Sequence, residues 1–179
     1  MLKSLALAAA LVLSAGNILA QTKADEAKDQ PAKDVEQVKL AIGDKAPAVE
    51  VETWVKGTPV TGFEKGKVYI VEFWATWCPT CQKELPQLQA LYEKHRDKGF
   101  EILALSIDAD RFTVEEFWKD HDYRFPVAMR APAHVRVFGP IKAIPALYLI
   151  DRRGVLRMTR VGGISQAQLE AQLLPLLRN

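Results

Sequence analysis

The run Val68-Tyr69-Ile70-Val71-Glu72-Phe73-Trp74 constrains this chain more than any other segment. It is almost continuously apolar and rich in β-branched and aromatic side chains, the pattern of a strand buried on both faces. Such a strand needs partners on its edges and a covering layer on each face. It leads straight to Trp77-Cys78-Pro79-Thr80-Cys81, where the pattern turns helical. The only two cysteines of the chain are thus carried by a buried strand to the start of a helix. There the helix dipole and the unpaired N–H groups favour negative charge and pull a thiol below its free pKa of about 8.5. A second sulfur one helical turn on can close a small disulfide with the first. The pair reads as a centre that cycles between dithiol and disulfide.

The helix is expected from Pro79 to about Lys98, with Leu85, Leu88, Leu91 and Tyr92 on one stripe and Gly99 as its stop. Phe100 to Ile107 is a second buried strand. Thr113 to His121 is a helix with Thr113 as N-cap and Glu116 three residues on. Phe125 to Met129 is a short strand, and Val135 to Phe138 ends a short helix. Ala146 to Ile150 and Val155 to Val161 form a hairpin around Asp151-Arg152-Arg153-Gly154. Ser165 caps a last helix that runs to Leu177. Short strands are expected over Val49 to Val55 and Thr58 to Thr61. The sum is an α/β fold, helices around a central mixed sheet.

The N-terminus has its own character. Met1-Leu2-Lys3 precedes an uncharged Ala/Leu-rich run and Ala20, the pattern of a secretory signal peptide over residues 1–20, with an uncleaved anchor as the alternative. Residues 21–39 are charged and poor in large apolar side chains, a flexible linker, so the domain is expected over 40–179. The chain is thereby expected in the periplasm, an oxidising space. A small domain stapled by disulfides would need several spaced cysteines; one pair separated by Pro79-Thr80 closes too small a loop to restrain the unfolded chain much. Charge is nearly balanced, 24 basic against 22 acidic residues, and no basic stripe argues for nucleic acid as a partner.

Phe73-Trp74-Ala75-Thr76-Trp77-Cys78-Pro79-Thr80-Cys81 and Ala143-Ile144-Pro145-Ala146 together resemble the thioredoxin superfamily. Within it, the secreted disulfide reductases of the TlpA and ResA kind are the most similar. The Gly43-Asp44-Lys45-Ala46-Pro47 entry, the extra helix and strand between Thr113 and Met129, and Val161-Gly162-Gly163 agree with this. The resemblance implies a thioredoxin-like fold with a helix–strand insertion. It also implies Cys78 as nucleophile and Cys81 as the sulfur that resolves the mixed disulfide. Glu72, a carboxylate in an apolar strand, takes the place of the family's proton acceptor for Cys81. The family's partner lysine is missing, Ala104 or its neighbours standing in that place. Pro145 is placed as a cis-proline, Ile144 as backbone that receives substrate, Trp77 as an exposed docking side chain, and Pro86 as a mid-helix kink.

The implied function is a thiol–disulfide oxidoreductase acting on disulfide-bonded client proteins as a monomer. A membrane thiol-transferring protein would supply its electrons. A cytochrome c maturation role is a variant of this reading, since Trp-Cys-Pro-Thr-Cys is similar to that subfamily too. A peroxidase is disfavoured because Ala75 stands where peroxiredoxins place threonine. A haem- or copper-handling module is the non-enzymatic alternative. No metal is expected, because His95, His121 and His134 lie far apart and two cysteines cannot complete a four-ligand site. No cofactor is implied; the cysteines carry the electrons. Asp108 and Asp110 are expected to end a strand and prepare the next helix, and Trp54, Trp74 and Trp118 to sit in or near the core.

Overall fold

The structure, a computed structural model of the chain, describes residues 40–132 and 138–178. The expected leader over 1–20, the linker over 21–39 and most of the short helix at Val135 to Phe138 lie outside the described residues. The elements are β1 (Val51–Lys56), β2 (Val68–Trp74), α1 (Pro79–His95), β3 (Phe100–Ser106), α2 (Arg111–Asp120), β4 (Val127–Arg130), β5 (Ala146–Ile150), β6 (Leu156–Val161) and α3 (Gln166–Arg178). The strands form one mixed sheet in the order β1-β4-β3-β2-β5-β6. β2, β3 and β4 run parallel, while β1, β5 and β6 pair antiparallel to their neighbours. This is the thioredoxin-like arrangement expected from the sequence.

Every residue of β2 is buried, as its apolar run demands. Alternate side chains serve two cores. Val68, Ile70 and Trp74 pack with the apolar stripes of the helices, among them Leu85 and Leu88 of α1, Trp118 of α2 and Leu169 and Leu173 of α3. Tyr69, Val71 and Phe73 face the other way and are covered by Leu40, Val49 and Phe138. The three parallel strands end on one edge of the sheet, and the cysteine turn grows from that edge.

Several boundaries differ from expectation for identifiable reasons. α2 starts at Arg111 and its N-cap is Asp110, not Thr113: Asp110 accepts from the N–H of Phe112 at 3.2 Å and of Thr113 at 3.1 Å. A carboxylate that satisfies two orphan donors outcompetes a hydroxyl further in. Thr58 to Thr61 forms no strand; Pro59 removes a donor there and β1 already pairs with β4 along the sheet edge. The last turn expected of α1 tightens into a 3₁₀ turn over Arg96–Lys98, and Gly99, at φ 80°, takes the left-handed conformation that stops it. Ser165 caps α3 as expected: its Oγ accepts from the Gln168 N–H at 3.3 Å, and Gln168 Oε1 accepts in return from the Ser165 N–H. At the other end of α3, the Arg152 guanidinium donates to the carbonyls of Leu176 and Leu177, and to those of Gly66 and Lys98, pinning three chain segments together.

Candidate active site

Cys78 is the N-cap of α1, with extended backbone, and its Sγ accepts from the Cys81 N–H at 3.2 Å. Pro79 fills the first helical position, where no N–H is missed. The two sulfurs are joined in a disulfide, and Cys78 is 5% exposed against 0% for Cys81. Cys78 is thus the more accessible of the two. Trp77 beside it is 64% exposed.

Pro145 is buried, follows a cis peptide bond and immediately precedes β5. Its carbonyl accepts from the Gly162 N–H at 2.9 Å. Ile144 packs against the same apolar cluster that holds both cysteines. The β6–α3 loop presses on the cysteine helix as well: Gly163 adjoins Thr80, and Gln87 Oε1 accepts from the Gln166 N–H at 2.7 Å.

Glu72 is fully buried, and neither of its oxygens has a hydrogen-bond partner. It faces Ala104 on β3 and Leu147 on β5, so neither neighbouring strand sets a cation opposite it. Burial first, and the carboxylate of Glu84 second, push its pKa well above the ordinary carboxylate range. Glu84 was not anticipated from the sequence. It lies one turn beyond Cys81, is 3% exposed, and its oxygens also lack a partner. Burial pushes it up to about 7, against the lowering effects of the Ile164 N–H and the Arg160 charge. No hydrogen bond of ordinary geometry closes between the Ile164 amide and Glu84. The available signal was spacing: a glutamate on the same helical stripe as Cys81, Leu85 and Leu88 belongs to the buried face.

The histidines stand apart from this site. His95 Nε2 pairs with Glu170 at 2.7 Å, His121 Nδ1 meets the Phe117 carbonyl, and His134 lies outside the described residues. Among the described residues no group of three His, Cys, Asp or Glu side chains is placed to hold a metal ion, and no helix is long and apolar enough to cross a membrane.

The Redoxin family model matches residues 41–173. The chain belongs to the Redoxin family. It is 35% identical over 136 residues to a thiol-disulfide oxidoreductase ResA of Bacillus cereus, covering 75% of this chain and 78% of that protein. To the sporulation thiol-disulfide oxidoreductase A of Bacillus subtilis it is 28% identical, over 69% of this chain and 77% of the relative. Among solved structures, a thiol:disulfide interchange protein of the thioredoxin family from Chlorobium tepidum superposes with a TM-score of 0.69 at 30% identity, covering 76% of this chain and 98% of the other. With the Cys78–Cys81 pair at a helix start, this Redoxin-family protein is a thiol–disulfide oxidoreductase.

Proposed function

We propose that this Redoxin-family protein reduces the disulfides of client proteins outside the cytoplasm. The observation that carries the reading is a fully buried Cys81 with two buried carboxylates nearby in the fold, Glu84 one turn on along α1 and Glu72 on β2, none of their oxygens hydrogen-bonded. A dithiol is strongly oxidising when its reduced form is stabilised as thiolate. Buried acids on α1 and β2 offer a Cys81 thiolate no such stabilisation, so the thiolate form gains little and the pair is poised to give electrons away. The leader-like residues 1–20 support export, and a membrane dithiol donor would then recharge the pair.

In the reduced protein the Cys78 thiolate attacks a client disulfide, forming a mixed disulfide and releasing one client thiolate. A buried carboxylate of the Glu72–Glu84 pair takes the proton of Cys81. The Cys81 thiolate then attacks Cys78 Sγ, the bond from Cys78 to the client sulfur breaks, and that sulfur leaves as a thiolate with the electron pair, its charge neutralised by the proton the carboxylate gives up. Trp77 and the backbone of Ile144, beside Pro145, receive the client chain. The test is the reduction potential of the Cys78–Cys81 pair, with insulin reduction by dithiothreitol as the assay. A potential near about −270 mV and loss of turnover in Cys78→Ala are expected, whereas one near about −120 mV would make the protein an oxidant.

A further inference from the structure

Three consecutive peptide groups lead from Thr76 into α1, and each is held by a named partner. The Thr76 carbonyl accepts from Gln82 Nε2 at 2.5 Å. The Cys78 N–H donates to the Ala75 carbonyl at 3.2 Å, and the Cys78 carbonyl accepts from the Gln82 N–H at 3.0 Å. A peptide group is planar, so holding its orientation restrains ψ of the residue before it and φ of the residue after it. Trp77 and Cys78 are thereby left little backbone freedom. Gln82 supplies two of the three ties: its N–H closes the first turn of α1, and its side chain reaches back past the cysteine to residue 76. Asp108 also grips Thr76, but through the N–H and Oγ1, so it holds the peptide group before Thr76 and not the one after. Among the described residues the 76–77 group has no other hydrogen bond, because the Trp77 N–H has no partner. Its orientation depends on the Gln82 carboxamide.

Cys78 Sγ is the cap acceptor for the Cys81 N–H at 3.2 Å, and Pro79 at the first helical position has no N–H to add. A thiolate here is stabilised only while the Cys78 backbone keeps the sulfur over the first turn of the helix. In the oxidised protein the disulfide keeps it there covalently. In the dithiol that tie is gone, and the backbone over residues 76–78 must hold the sulfur in place by itself. We propose that Gln82 is a positioning residue for the exchange: through the Thr76 carbonyl, its carboxamide keeps Cys78 aligned with α1 once the disulfide is open, and so stabilises the attacking thiolate. The proposal rests on Cys78 being the attacking sulfur, as in the exchange proposed above.

The test uses the full chain carrying Cys81→Ser, whose single thiol is Cys78. Its rate of alkylation by iodoacetamide, followed against pH, gives the midpoint at which the thiolate forms. Gln82→Met keeps the length of the side chain and removes the donor. It should raise the midpoint by about half a pH unit, roughly a threefold loss of thiolate below it, the scale of one net hydrogen bond. Gln172→Met, at an exposed glutamine of α3, should leave the midpoint in place. The charged groups of the neighbouring elements are the same in these proteins: Glu72 on β2, Lys83 and Glu84 on α1, Asp108 after β3, Lys142 before Pro145 and Arg160 on β6. A shift therefore reports alignment and not an altered charge.

Amide NMR order parameters of the chain with both cysteines separate this role from general loosening. In Gln82→Met those of Trp77 and Cys78 should fall in the dithiol form and hold in the disulfide form. An unmoved midpoint, an equal shift in Gln172→Met, or order parameters that fall equally in both forms would overturn the proposal. Neither measurement turns over a client, so failure here is separable from failure of the reductase reading, which insulin reduction reports.

Discussion

Asp108 holds Thr76 at two points, accepting from its backbone N–H at 3.0 Å and from its Oγ1 at 2.7 Å. Ser106 Oγ donates to the same carboxylate at 2.6 Å and accepts from the Asp108 N–H at 2.9 Å. The end of β3 thereby fixes the turn that carries Trp77 and Cys78. Asp108→Ala orphans a partly buried N–H and hydroxyl, a cost of about 1–3 kcal/mol. It should also loosen the turn, so urea unfolding of the oxidised protein and the rate of insulin reduction should fall together. An Ala variant with unchanged midpoint and rate would remove Asp108 from this role.

Glu84 links stability to pH. Its pKa is raised in the folded protein, from 4.5 to about 7, so between those values the native state binds more protons than the unfolded chain. Unfolding free energy then falls as pH rises: the stability is fully present below about 4.5 and is lost as pH climbs through about 7. Glu72, raised in the same direction by burial, contributes with the same sign. A shift of that size corresponds to about 3 kcal/mol. Glu84→Gln, which keeps the shape and cannot ionise, should flatten the decline between pH 5 and 8, measured by urea unfolding of the oxidised form. A slope identical to that of the unsubstituted protein would contradict it.

The parts of this site that were legible in the sequence are local ones. β2 announces itself by composition, and Cys78 by standing where that strand gives way to a helix. Glu84 was legible only in its position: its spacing puts it on the stripe of Cys81, Leu85 and Leu88, but an acidic side chain on an amphipathic helix ordinarily belongs to the wet face, so residue type argued against burial. Asp108 likewise looked like a strand terminator, and its grip on Thr76 spans two loops that meet only because β2 and β3 run parallel. The α2 cap was ambiguous in kind: Asp110 and Thr113 are both capping residues, and the number of N–H groups each reaches decided between them.

Gly163 offers a last test, because its smallness is needed for space. Its φ lies outside the left-handed region, so alanine suits the backbone, but the added Cβ would sit 3.0 Å from Thr80 Cγ2. Thr80 stands between the two cysteines, so any yielding is felt in the redox motif itself. Gly163→Ala should cost about 1–3 kcal/mol through overpacking and shift the reduction potential. Thr80→Ser removes that methyl and keeps the hydroxyl. Combined with Gly163→Ala it should recover most of the loss, giving a coupling above about 0.5 kcal/mol in a double-mutant cycle. Additive effects would mean that the β6–α3 loop does not press on Thr80, leaving the Gln166 N–H to Gln87 bond and the packing of Ile164 to brace that loop against the cysteine helix.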